Sequence, residues 1–409
     1  MAELTSADLA LRARAAKVIA GGMYGHQNVA SLPTGYPQYF VRAEGCRLWD
    51  VDGREYIDYL CGYGTNLLGY RHPEVEVAAQ AQAALGDCMT GPAPCMVDLG
   101  ERMVELVEHA DWALFCKNGT DATTICVTMA RAHTGKRTLL RARGTYHGAA
   151  PWCTPVKEGV LKEDRAHLAG FDYNDIASLE EAVAAAGTDL AAVLLTPHRH
   201  EAHRDQALAD PAFVRRARAL CDARGALLIL DEVRTGLRVA HGGSWERLGV
   251  RPDLSAWGKT LANGYALSAV AGTEALRAAA TRIYTTGSFW FSAVPMAAGL
   301  ATLAVARRDQ VSEHIEAMGM KLRAGLAEQA RAHGFGLRQT GPAHMPQWLF
   351  DDDSKLARGN FFVAEAARGG VLLHSWHNMF LCLAHRESDI VRTLQVTDAA
   401  FAALRKAGL

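Results

Sequence analysis

An α/β fold is predicted, with a large domain around a mostly parallel central sheet and a smaller α+β domain towards the C-terminus. Three observations predict it. From Trp112 onward, short runs apolar on both faces (WALFC, AAVLLT, ALLILD) alternate with helical stretches (DATTICVTMARAHTG, PAFVRRARALCDARG), the pattern of parallel strands covered by helices on either side. After Pro295 the pattern changes to helices through about His333, then to mixed strands and helices (MPQWLF, FFVAEAARG, GVLLH, MFLCLAH, DIVRTLQVTDAAFAAL). The length, 409 residues with 49% hydrophobic content, suffices for two or three domains that each bury a core.

In chain order, the residues up to about Gly53 hold a short helix and then strand-like segments around YFVRAEGCRLWDVDGREYIDYL, where Asp52-Gly53 marks a hairpin turn. Residues 1–60 are therefore read as an N-terminal segment contributing to the small domain and the active site, 61–300 as the large domain and 301–409 as the small one. The uncharged run from Ile283 to Ala306 is long enough to raise the question of a membrane span. It is built of Ala, Gly, Ser and Thr and carries Pro295, so a buried helix with its lead-in loop is expected instead.

Lys and Arg total 43 against 44 Asp and Glu, with no block of like charge, which leaves no surface built for nucleic acid or for a membrane. A small-molecule partner is expected. The nine cysteines are odd in number, scattered and never spaced as Cys-x-x-Cys, the usage of reduced thiols in a cytoplasmic protein. The opening MAELTSADLALRARAAK mixes acids and bases where an export signal needs an unbroken apolar stretch.

Ligands of open α/β sheets bind at the carboxyl ends of the strands, so the residues just beyond each apolar run carry the chemistry. After WALFC, Asn118-Gly119-Thr120 opens a helix whose free amides and dipole favour a phosphate, although an ordinary capped helix has the same look. After ALLIL, Asp231 and Glu232 sit where a buried carboxylate needs a cation; a structural ion pair is the plainer reading. After a short strand, Ala256-Trp257-Gly258-Lys259 presents a lysine whose amine could be held neutral and nucleophilic, while most lysines are simply solvated. Tyr146 and His147, between Gly144 and Gly148, offer a stacking ring and an imidazole, or merely a packed loop.

Together the four places describe one ligand: a planar ring with a phosphate, a basic ring nitrogen to meet Asp231 and an aldehyde to meet Lys259. Pyridoxal 5′-phosphate (PLP) has these groups. At these residues the chain resembles a known family. NGTDA, GTYHG, LLILDEVRTGLRV and PDLSAWGKTLANG, in this order, resemble the class III aminotransferases of PLP fold type I, most closely the glutamate-1-semialdehyde aminomutase-like branch. The likeness runs from Gly21-Gly22 through LWDVDGREYIDYL to LAHRESDIVRTL.

The resemblance implies roles. Lys259 is the Schiff-base lysine and proton carrier, and Asp231 the partner of the pyridinium nitrogen. Val233 and Tyr146 cover the two ring faces, with Tyr146 and His147 beside the cofactor. Asn118, Gly119 and Thr120 hold the phosphate, and a homodimer with active sites at the subunit interface is implied. The family's Thr that reaches the neighbour's phosphate has no direct counterpart between Thr285 and Pro295; the ungapped position is Trp290, and Ser288 or Thr286 is the nearby hydroxyl.

Two departures bear on substrate. Asn28 stands where the aminomutases carry a carboxylate-binding Arg, and Asn378 where they carry a Glu. The substrate segments also hold Tyr24, Tyr63, Phe289, Trp290, Phe291 and Trp376. The expected reaction is amino transfer from a bulky, aromatic or amphipathic amino compound to a keto or aldehyde acceptor. An aminomutase or amino-acid racemase is the alternative, and a metal-dependent hydrolase using His198 and His200, with His203 and Asp231, is a remote one.

Overall fold

A computed structural model describes residues 6–409; residues 1–5, where the opening of the N-terminal segment falls, lie outside them. The chain divides into two compact units. One comprises residues 73–201 and 206–312, and the other joins both chain ends, 1–72 and 313–409, with the short stretch 202–205.

The larger unit is built on a seven-stranded sheet. Its strand order is Trp112–Cys116, Ser268–Gly272, Leu254–Trp257, Leu227–Asp231, Leu190–Leu195, Thr138–Ala142, Leu168–Phe171. The pairs from Leu254–Trp257 through Leu168–Phe171 are parallel, as the doubly apolar runs predict. Alternate residues feed two cores. Ala192, Leu194 and Ile229 join Cys126 and Met129 on one face, while Val193, Leu195, Leu228 and Leu230 join Phe213, Val214 and Cys221 on the other.

One strand departs from the parallel pattern. Ser268–Gly272 runs antiparallel to both neighbours, Leu254–Trp257 and Trp112–Cys116. Its Ala- and Gly-rich sequence carries little strand propensity, and its glycine is needed for contact: a Cβ on Gly272 would lie 2.3 Å from the Trp112 ring.

Helix ends follow the local chemistry. Asn118 and Asp121 close a reciprocal capping box on Gly119–Thr134, and Asp210 caps Pro211–Arg224 by accepting from Ala212 N and Phe213 N. The Ile283–Ala306 run forms a lead-in followed by the helix Ala293–Arg308, with Pro295 in its first turn. No helix among the described residues is long and apolar enough to cross a membrane.

The other unit holds a four-stranded sheet in the order Phe40–Glu44, Arg47–Asp50, Glu55–Asp58, Val371–Leu372. The Asp52-Gly53 turn is present: Asp50 Oδ1 accepts from Asp52 N and Arg54 N, and Gly53 takes φ 81°. The pair Leu337–Thr340 and Gln347–Phe350, the helices Ser6–Val18, Ala357–Arg368 and Glu387–Lys406, and nearly all of the helix Val311–His333 also belong to it. MFLCLAH, strand-like in sequence, is not a strand. Its amides alternate between partners, Met379 N to Pro346 O, Phe380 N to Tyr59 O, Leu381 N to His344 O and Leu383 N to Leu67 O, so no ladder forms.

Candidate active site

Four loops of the larger unit meet at the carboxyl ends of its parallel strands. At the end of Leu227–Asp231, the buried carboxylate of Asp231 receives a 2.7 Å hydrogen bond from His147 Nδ1. His147 is itself buried, with Nε2 2.9 Å from Thr145 Oγ1 and its carbonyl accepting from Thr123 Oγ1 at 2.7 Å. The other Asp231 oxygen accepts from Val233 N at 3.1 Å. The carboxylate is thus locked in one orientation from two sides.

Val233 is the junction. A Cβ on Gly119 would lie 2.6 Å from Val233 Cγ1, and one on Gly258 would lie 3.3 Å from the same atom, so both glycines serve close approach. The helix start at Gly119 and the lysine-bearing turn after Gly258 are therefore drawn to one side chain. Gly148 approaches Thr120 in the same way, and Thr120 Oγ1 accepts from Ala149 N at 3.1 Å. Asn118 is committed to the cap: its side chain accepts from Asp121 N and its own N–H donates to Asp121. The amides of Gly119 and Thr120 are the first of the helix and have no acceptor within it.

Lys259 is half-buried on left-handed backbone (φ 43°). Burial first, then the charges of Arg234 and Arg238, bring its amine down to about 7 against the opposing pull of Asp231. Arg234 is itself lowered to about 10 by burial, with Asp231 and Tyr146 opposing. Tyr146 is 44% exposed, leaving a ring face open, and its phenol is raised chiefly by burial.

Other expected residues have other settings. Ser288 is exposed, and Trp290 packs partly buried against the core that contains Cys126 and Met129. In the smaller unit, Tyr24 is exposed and Asn28 caps a short turn by accepting from Ala30 N. Tyr63 OH accepts from Gln27 Nε2 at 3.0 Å, and Asn378 is buried with Nδ2 donating to Met379 O.

The hydrolase reading fails. His200 is buried in the positive field of Arg234, and that neighbouring charge is a poor setting for a metal cation. Among the described residues, the group of three candidate ligands that comes together is Cys61, Cys382 and His385, without His198 or His200. Thr123 and Thr145, which hold His147, were given no role in the sequence: Thr145 lies within the GTYHG motif but drew no notice beside Tyr146 and His147, and Thr123, inside a helix, carried no signal. Tyr63 and Trp376 were singled out in the sequence, but the histidines that gather around them, His26, His203 and His374, were not, although the spacing His374-x-Trp376-His377 was a signal.

The family profile of Aminotransferase class-III matches residues 32–397. The chain belongs to the class III aminotransferases. It is 54% identical to the aminopentol aminotransferase of Sphingopyxis macrogoltabida over 96% of this chain and 93% of that protein. The 3-aminobutyryl-CoA aminotransferase of Cloacimonas acidaminovorans is 31% identical over 97% of each. The FumI protein of a Sphingopyxis species, solved with PLP in place, superposes with a TM-score of 0.97 at 53% identity, covering 98% of this chain and 97% of that one.

The cofactor of this class III aminotransferase is PLP, and the donor set fits it. A depressed lysine, a locked carboxylate, two unspent amides at a helix start and an open tyrosine face match its aldehyde, ring nitrogen, phosphate and ring.

Proposed function

We propose that this class III aminotransferase takes its amino group from an amphipathic primary amine that carries hydroxyl groups and passes it to a keto or aldehyde acceptor. The observation that carries this reading is the 54% identity, over nearly the whole chain, to an aminopentol aminotransferase, whose named substrate is an amine with five hydroxyls. The local chemistry agrees. Asn28 caps its own turn and Asn378 donates to the carbonyl of Met379, and an uncharged amide at either position lacks the charged grip that a carboxylate substrate of the aminomutase-like branch requires.

When bound, PLP supplies an aldehyde that condenses with amines and a ring that withdraws electrons from the carbon being deprotonated. Lys259 attaches the cofactor through Nζ and afterwards, as a free amine near neutrality, takes the substrate proton and returns it. Asp231 holds a proton on the ring nitrogen, and His147 keeps that carboxylate aimed. Gly119 and Thr120 bind the phosphate with their amides, while Asn118 shapes the turn that frees them. Val233 and Tyr146 flank the ring.

The reading includes a homodimer. The segment bearing Ser288 exposes Tyr284 (92%), Phe289 (66%) and Phe291 (38%), apolar surface that a second copy would cover, with Ser288 or Thr286 reaching the neighbour's phosphate. Nine free cysteines suit a reducing cytoplasm. The test is a half-reaction: holoenzyme is mixed with a polyhydroxylated primary amine, and pyridoxamine phosphate is measured by mass. Efficient turnover of glutamate-1-semialdehyde, or racemisation of an amino acid without that product, would refute the proposal.

A further inference from the structure

Inside the smaller unit, two thiols and an imidazole from opposite ends of the chain come together. Ligand atoms of Cys61, Cys382 and His385 all lie within 4.8 Å of one another, and the three side chains are buried. Cys382 and His385 share one turn, closed by His385 N donating to Cys382 O at 3.1 Å, and it sets His385 Nδ1 3.2 Å from Cys382 Sγ. The imidazole is held on both sides of its turn: the Tyr59 ring lies 4.7 Å from it, and its carbonyl accepts from His314 Nε2 at 2.8 Å.

Cys61 is presented with equal care. Its amide donates to Asp58 Oδ2 at 2.9 Å, and the same carboxylate accepts from Leu60 N at 2.7 Å and Tyr70 OH at 2.8 Å. Cys61 opens four successive residues of positive φ, through Gly64, and itself stands at φ 46°. A side chain other than glycine rarely accepts that conformation, which persists where the surroundings impose a particular placement.

The Cys382 sulfur is the focus. It is hydrogen-bonded by the Cys61 thiol and by the amide of Ala384, and the His385 ring stands against it. Nδ1 of that ring also accepts from Cys382 N at 3.1 Å, so its hydrogen belongs on Nε2 and its lone pair is turned towards the sulfur. Two hydrogens, of the Cys382 amide and thiol, thus converge on a single lone pair. A cation that displaced the thiol protons would relieve that crowding.

The donor set selects the cation. Two sulfurs and an imidazole suit a soft or borderline metal and exclude magnesium and calcium, which need oxygen ligands. Two thiolates and a neutral imidazole cancel the charge of a divalent ion, whereas copper(I) would leave a net negative charge in a buried place. Tetrahedral zinc, with bonds of about 2.3 Å to sulfur and 2.0 Å to nitrogen, sets its ligand atoms about 3.5 Å apart, so closure needs shifts of about 1 Å or less. Among the described residues no fourth such ligand joins the group, which leaves one position for a water.

We propose that Cys61, Cys382 and His385 form a zinc(II) site that clasps the segment after Asp58 to the Cys382–His385 turn within the smaller unit. On binding, two Zn–S bonds and one Zn–N bond form, both S–H bonds break, and the two protons leave to solvent. Nothing is oxidised or reduced.

The test uses the full-length holoenzyme, produced with zinc in the growth medium and kept under reductant, because a site this buried fills as the chain folds. After gel filtration, elemental analysis should find about one zinc per chain, and X-ray absorption at the zinc edge should show two sulfurs at about 2.3 Å and a nitrogen at about 2.0 Å. Cys382→Ser and His385→Phe should each lower the zinc content at least about tenfold, as loss of one of three ligands requires. Cys88→Ser, which alters an exposed thiol outside the group, should leave it unchanged. Protein free of zinc, a shell of nitrogen and oxygen alone, or zinc undiminished in both ligand variants overturns the proposal. Should the variants fail to fold, the absorption spectrum of the unaltered protein decides. Zinc-loaded protein should also melt several degrees above protein produced under zinc limitation, since an ion bound only by the folded chain stabilises it. Equal melting temperatures would overturn the clasp.

Discussion

The strand-end site and the ring cluster around Trp376 are built by opposite means. At the strand ends, Asp231, Lys259, His147 and the Gly119 turn follow strands of the sheet, and the contacts seen there are hydrogen bonds from His147 and Val233 to Asp231 and close approaches that Gly119 and Gly258 permit. The ring cluster stands on irregular chain, where rings drawn from residues 26, 63, 203 and 374–377 meet and left-handed backbone is tolerated. The first arrangement, which carries the proposed cofactor chemistry, sits at the ends of the sheet's strands. The second rests on loops, which can vary without disturbing the sheet.

That contrast can be broken first at Lys259. Lys259→Ala should cut amino transfer by at least roughly 10⁴-fold, since both nucleophile and proton carrier are removed. Borohydride reduction followed by mass spectrometry should find the phosphopyridoxyl label on Lys259 in the unaltered protein and no label at that position in the variant. Asp231→Asn should keep the cofactor, held by its phosphate, and lower kcat by roughly 10²- to 10³-fold, the scale for one preorganised electrostatic contact. A near-normal single-turnover rate would remove Asp231 from its role.

The His147 contact sharpens the comparison. His147→Phe should cost about 1.5–3 kcal/mol, roughly ten- to a hundredfold in kcat, because the charged hydrogen bond that aims Asp231 is lost. His147→Gln should recover part of it, which a merely space-filling histidine would not predict.

The pH dependence has a definite sign. With Lys259 lowered to about 7, its amine is protonated below that pH and neutral above it, so PLP uptake by the apoenzyme should rise with pH and level off above about 7. Arg234→Gln should move the midpoint upward, since a cation that opposes protonation is gone. The same depression costs stability below the unfolded lysine range. Between about 7 and 10 the unfolded chain binds a proton that the native apoenzyme does not, so this group's contribution to stability rises with pH there and should be absent in Lys259→Met.

The smallest effect belongs to the smaller unit. Asn28→Ala should cost about 0.5–2 kcal/mol from the lost cap on Ala30, read as a lowered melting temperature, with little change in kcat.

The parallel strands, the Asp52-Gly53 hairpin and the helix after Asn118 were legible in the sequence, because each depends on residues within a few positions of one another; Lys259 and Asp231 were legible as candidates because each follows a short apolar strand. The antiparallel Ser268–Gly272 strand was not legible, since its place is set by Trp112 pressing on Gly272 across the sheet. Nor was the loss of strand character in MFLCLAH, whose amides are claimed by four distant carbonyls. The aiming of Asp231 by His147, 84 positions earlier, and the meeting of His26, His203 and Trp376 were likewise decided by tertiary structure alone. Local chemistry chooses an element and the group at its end; which groups then face one another depends on packing between residues far apart in the chain, and periodicity carries no record of that.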